Sequence, residues 1–129
     1  MRRVLNLLCI VFIGFSCQGQ EAAIINISIE EAVTKLQNED VILIDVRTDG
    51  EYASGHLEGC QHINIGSKSF EDGIQKLSKN KRYIVYCHAG GRSAKACKIM
   101  KEMGFVSLYN LDGGISAWKQ ANQPIVMDN

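Results

Sequence analysis

A chain of 129 residues suits one domain and leaves little room for a second. With 46% hydrophobic and 22% charged residues it can bury a core, which argues against a disordered chain. Lys+Arg and Asp+Glu both number 14, so no basic excess points to nucleic acid as a partner.

That balance is uneven along the chain. Residues 1–20 hold Arg2 and Arg3 and no acid, so the remainder carries 12 basic and 14 acidic residues, a formal −2. Met1-Arg2-Arg3 leads into Val4–Phe15, apolar except for Asn6, and polar Gln18-Gly19-Gln20 follows. A basic start, an apolar run too short to span a bilayer comfortably and a small residue near its end predict a secretory signal. An N-terminal core helix or an uncleaved anchor is the alternative. Ser16-Cys17 resembles a bacterial lipoprotein cleavage box, although Gly14 and Phe15 stand where the common form has Leu and a small residue. The expectation is a signal peptide over 1–17 with lipid on Cys17. The product is then exported, periplasmic or held at the cell envelope, touching membrane only through signal or lipid; a multiply acylated Cys anchors firmly.

From Ile24 short apolar runs alternate with amphipathic stretches. Ile24–Ile27 reads as a first strand. Ser28 and Glu31 fit a capping box, after which Ala32, Val33 and Leu36 share one helical face. Val41–Val46 is a continuous β-branched run, the mark of a strand buried on both faces. His62–Ile65 is a shorter strand candidate, and Phe70, Ile74 and Leu77 predict a helix ending near Lys79-Asn80. Tyr83–Cys87 is a second buried strand. A helix from about Arg92 to Met103 follows, with Gly104 as its stop and Ala96, Ile99, Met100 and Met103 as its apolar face. Val106–Tyr109 and Ile115–Gln120 read as the last strand and helix. Strands alternating with helices predict an α/β fold on a mostly parallel sheet.

Cys87-His88-Ala89-Gly90-Gly91-Arg92-Ser93 falls between the end of a buried strand and the start of a helix, where α/β sheets bind ligands. Two glycines let the backbone curl so that several N–H groups converge, and the helix adds its positive end. This field favours thiolate over thiol at Cys87, and Arg92 offers a forked cation to an oxyanion. The same pattern also fits a buried strand-end cysteine, or a phosphate-binding turn without cysteine chemistry.

The loop resembles the active-site loop of rhodanese-domain sulfurtransferases. Asp45-Val46-Arg47, Glu51-Tyr52, Gly55-His56 and Gly59 resemble that family's upstream signature, and Leu111-Asp112-Gly113-Gly114-Ile115 with Trp118 its C-terminal element. The resemblance implies a single rhodanese-like domain over about 24–125, with a five-stranded, mostly parallel sheet flanked by helices on both faces. It implies that Cys87 takes sulfane sulfur from a small anionic donor, thiosulfate or a persulfide or polysulfide, as a persulfide and passes it to a thiophilic acceptor such as a thiol. No cofactor is then needed, and His88, Ala89, Gly90, Gly91, Arg92 and Ser93 hold the sulfur. Thiosulfate-using relatives often carry a cation just after the Cys; here histidine is charged only in part near neutrality and Ala89 never is. This favours persulfide or polysulfide donors over thiosulfate. Related phosphatases have a loop one residue longer, whereas Cys87 to Arg92 is Cys-x4-Arg, a smaller pocket that suits sulfur. A non-catalytic binding module is the third reading, opposed by the presence of Cys87.

Asp45, Arg47, Glu51 and His56 lack metal-ligand spacing and read as structural support, with Arg47 and Glu51 expected to pair and Asp45 to order loop backbone. His62 reads as a sheet-end residue. Cys9 and Cys17 belong to the signal and its cleavage site, leaving Cys60, Cys87 and Cys97, an odd number that excludes a full disulfide framework. Cys97 is expected to pack as an apolar residue, and Cys60 either to be buried or to resolve an oxidised Cys87. No metal is expected, and the sequence sets no oligomeric state.

Overall fold

Side chains along the central strands alternate between two packing layers, as a pleated strand requires. The computed structural model describes Gly14 and residues 22–128. The expected signal peptide and its Cys9 and Cys17 lie outside the described residues. In chain order the elements are β1 (Ile24–Ile27), α1 (Ile29–Asn38), β2 (Val41–Asp45), α2 (Asp49–Ala53), β3 (Gln61–His62), α3 (Phe70–Gln75), β4 (Arg82–Tyr86), α4 (Gly91–Glu102), β5 (Ser107–Leu111) and α5 (Gly114–Gln120). The sheet runs β1-β5-β4-β2-β3, and every pairing is parallel.

On one face Ile44, Val46, Tyr83, Val85 and Leu108 pack against Phe70 and Ile74 of α3 and Ala96, Cys97 and Met100 of α4. On the other, Ile27, Leu43, Ile84, Tyr86 and Leu111 meet Ala32 of α1 and Ile115 and Trp118 of α5. Helices therefore cover both faces, which is why β2 and β4 read as unbroken apolar runs. Among the described residues no helix is long and apolar enough to cross a membrane.

Several boundaries differ from the sequence expectation for local reasons. The strand expected over 62–65 shrinks to Gln61–His62 because its partner β2 ends at Asp45, in register with His62. The helix at Phe70 stops at Gln75, after which Leu77 N–H closes a tighter turn on Ile74 O; Gly73 inside it weakens the helix further. The sequence reading did not expect α2. Thr48 caps it, accepting from Glu51 N–H, and Glu51 reaches back to the Thr48 N–H, a complete capping box. At Ser28 only the forward half forms, Glu31 N–H to Ser28 Oγ at 3.1 Å. After α5 the chain returns across the molecule: Trp118 Nε1–H donates to Pro124 O, and Val126 bridges His56 in antiparallel fashion.

Candidate active site

Cys87 is the residue after β4, so the order β5-β4-β2 sets it at the carboxyl end of a central strand, next to the N-terminus of α4. Its side chain is buried. Gly90 has φ +107°, a left-handed turn that lets its N–H point back at Cys87 Sγ at 3.1 Å. Ser93 Oγ lies 3.4 Å from the same sulfur. The loop is fixed from outside by α5, where Ile115 N–H donates to Cys87 O (2.9 Å) and Ser116 N–H to His88 O (3.0 Å). Gly114 makes this approach possible: at φ +58° a Cβ there would lie 2.5 Å from both carbonyl oxygens. The Gly-Gly pair of the C-terminal element is thus the seat of the loop.

Burial of the sulfur pushes its pKa up, but the Ser93 hydroxyl, when it turns to donate to the thiolate, and the backbone N–H groups of Ser93, Gly90 and Ala89 outweigh it. Cys87 consequently ionises below the usual thiol range. Of the other described cysteines, Cys97 is pushed up to about 12 by burial. Cys60 is also raised by burial and lies 3.5 Å from Tyr86 Oη, in the layer across the sheet from Cys87.

The four charged residues of the site pair differently from the expectation. Arg47 does not bind Glu51. It folds back on Asp45, with Nη2 to Oδ2 at 2.7 Å and Nε to both carboxylate oxygens, and donates a further 2.7 Å bond to Gly55 O. Asp45 and Arg47 are both buried, and an uncompensated carboxylate at the end of β2 would be far more costly than the pair. Asp45 also accepts from Arg47 N–H (2.9 Å) and from Tyr86 O–H (2.7 Å). Glu51 instead takes Arg92 in a bidentate bridge of 2.7 and 2.9 Å, and the guanidinium holds its carboxyl down at about 2. The cation expected to face a substrate is therefore already neutralised by α2.

His88, Ala89 and Gly91 are exposed at the mouth, while Gly90 and Ser93 are buried beneath it. His56 is buried; Nδ1 is 3.1 Å from Tyr52 O, and its ring stacks on Tyr52, whose other side stacks on His62. His62 sits at the sheet end as expected, Nε2 2.8 Å from Arg47 O. Among the described residues no three His, Cys, Asp or Glu side chains gather to hold a metal ion.

Two residues absent from the sequence reading belong to the site. Asn110 of β5 is buried, accepts from Ser93 O–H (2.6 Å) and donates to Gly90 O (3.3 Å) and to Asn26 Oδ1 (3.0 Å). Asn26 and Asn110 are in register on neighbouring parallel strands. Asn110 stands one residue past the expected Val106–Tyr109 strand, and its signal was an amide beside an apolar run, which a buried position tolerates only with partners; Asn26 is exposed and left no such signal.

The profile of the rhodanese-like domain family matches residues 28–121. YtwF of Bacillus subtilis, a candidate sulfurtransferase, is 37% identical over 87 residues, spanning 67% of this chain and 82% of its own. Thiosulfate sulfurtransferase GlpE of Shewanella oneidensis is 29% identical over 97 residues, 75% and 94% of the two chains. The crystal structure of a rhodanese-like domain protein from Staphylococcus aureus superposes with a TM-score of 0.71 at 28% identity, covering 81% of this chain and 99% of that one. With its parallel five-stranded sheet and the cysteine loop at the carboxyl end of β4, this chain belongs to the rhodanese-like domain family.

Proposed function

We propose that the protein is a sulfurtransferase that carries sulfane sulfur on Cys87, within a domain over residues 24–125. The observation that supports it most is the convergence of Gly90 N–H and Ser93 Oγ on a buried, acid-shifted Cys87 sulfur. The thiolate attacks the outer sulfur of a small donor. The donor's S–S bond breaks, its electron pair leaves with the rest of the donor (sulfite, when that donor is thiosulfate), and Cys87 holds a persulfide. An acceptor thiolate then attacks the outer sulfur, and the pair of the breaking bond returns to Cys87 Sγ. The loop amides stabilise the terminal persulfide anion as an oxyanion hole stabilises oxygen, and no cofactor enters.

Donor choice follows from charge. With Arg92 bound to Glu51, and with Ala89 and a histidine at the mouth, the pocket presents little net positive charge to a dianion. Organic persulfides or polysulfides are therefore the preferred donors, and a thiol the acceptor. Incubation with glutathione persulfide should add the mass of one sulfur atom to the chain, and Cys87→Ser should remove both that adduct and all sulfur transfer. A Cys87→Ser protein that still transfers sulfur overturns the assignment. The short Cys-x4-Arg loop disfavours a phosphatase, whose phosphate needs more room.

The N-terminal segment supports the further proposal that the domain is exported and tethered by lipid at Cys17. Growth with a palmitate analogue should label the chain, and Cys17→Ser should abolish the label; an unlabelled Cys17 product sinks the tether.

A further inference from the structure

Ser93 has one hydroxyl proton and two neighbours that want it. The orientation of the Asn110 amide is dictated by Gly90 O, a carbonyl that only accepts, so Nδ2 faces it at 3.3 Å and Oδ1 faces Ser93. Oδ1 only accepts as well, so the 2.6 Å contact places the Ser93 proton on Asn110. Ser93 then turns lone pairs toward Cys87 Sγ, 3.4 Å away. That suits a thiol, which donates S–H to Ser93. It opposes a thiolate, which needs the hydroxyl to rotate and donate to sulfur, leaving the buried Oδ1 of Asn110 without a donor.

We propose that Asn110 is a positioning residue that controls the reactivity of Cys87 by competing with it for the proton of Ser93. On the reading of Cys87 as a sulfur carrier, the competition runs in step with turnover. When the sulfane sulfur is bound, the inner sulfur carries no charge and Ser93 bonds Asn110. When an acceptor thiolate takes the outer sulfur, the electron pair of the broken S–S bond arrives on Sγ, and Ser93 swings to the departing thiolate. Asn110 keeps that thiolate from being over-stabilised, and a thiolate of higher proton affinity is the stronger nucleophile for the next donor. The charged groups around the sulfur are few: Arg92 paired with Glu51, the Asp45–Arg47 pair at the end of β2, and His88 at the exposed mouth.

The test reads thiol ionisation, by thiolate absorbance or by the pH dependence of iodoacetamide alkylation at Cys87 followed by mass spectrometry, on the full chain. Asn110→Ala frees the hydroxyl for sulfur, and the midpoint of thiolate formation should fall by about one pH unit, a tenfold change. Ser93→Ala should raise it, and in that background Asn110→Ala should lower it no further. Asn110→Asp, which keeps the acceptor and adds negative charge, should not fall below the parent and covers the case in which the alanine variant does not fold. If Asn110 merely braces Gly90, its removal loosens the loop amides, and the midpoint rises whether or not Ser93 is present. For Asn110→Ala, a rise, no change, or a fall that persists without Ser93 overturns the proposal, as does a fall in Asn110→Asp. No sulfur donor enters these measurements, so a chain that forms no persulfide would refute the sulfurtransferase reading and leave this result standing.

Discussion

Glu51 decides what Arg92 is able to do. A bidentate carboxylate satisfies the guanidinium fork, so an incoming anion must displace an intramolecular partner held at 2.7 and 2.9 Å. Glu51→Gln should lower the KM for thiosulfate by about 3- to 10-fold while changing that for a glutathione persulfide little, as steady-state kinetics with both donors will show. The same pair has a pH signature. Glu51 is depressed to about 2 from an ordinary 4.5, so its contribution is complete above the ordinary value and lost as pH falls through that interval. Both side chains are about a third exposed, and water screening keeps the contribution to about 1 kcal/mol or less. Urea midpoints measured from about pH 6 to about pH 3 should fall less steeply in Glu51→Gln than in the parent. Choice of partner was the part of this site the sequence concealed. Asp45, Arg47 and Glu51 lie within seven residues of one another, and which carboxylate takes Arg47 depends on which one is buried. Only the fold, by sealing Asp45 at the end of β2, settles that.

Among the elements, the longer runs of the sheet and the loop were plain in the sequence because their causes are local: short apolar runs rich in β-branched and aromatic residues in β1, β2 and β4, and a Gly-rich turn between strand and helix. Helix α2 was hidden because five residues with none buried leave no apolar stripe to read, although its Thr48-x-x-Glu51 cap was present. The role of Gly114 was likewise invisible, since a motif says that glycine stands there but not what it touches. Its two carbonyl neighbours belong to the loop that carries Cys87, so the consequences of changing it reach beyond α5. Gly114→Ala combines a left-handed φ with a clash against fixed backbone, and should cost about 2–4 kcal/mol in urea denaturation. It should also raise the midpoint of Cys87 ionisation by pulling the loop amides from the sulfur. Gly50→Ala, whose Cβ meets nothing within 4 Å, serves as the control and should do neither.

For the whole molecule, the sheet is a partition. Cys87 and Cys97 pack on the α3/α4 side, Cys60 against the α1/α5 side. Mild oxidation should therefore yield no Cys60–Cys87 disulfide, a point checked by non-reducing peptide mapping. Iodoacetamide near neutral pH should label Cys87 well before half-buried Cys60 and buried Cys97, whose thiols resist ionisation. The strand order has a consequence in time. The first strand, β1, pairs only with the last, β5, and the loop around Cys87 is seated by α5 and by the Asn26–Asn110 pair, residues from both ends of the domain. As the chain emerges from its N-terminus, Cys87 is made before Ile115 and Ser116, whose N–H groups hold its loop in place. Until they arrive and dock, it is an ordinary thiol on an unfinished sheet. The surroundings of this thiol are thereby completed last, when the C-terminal end of the domain docks.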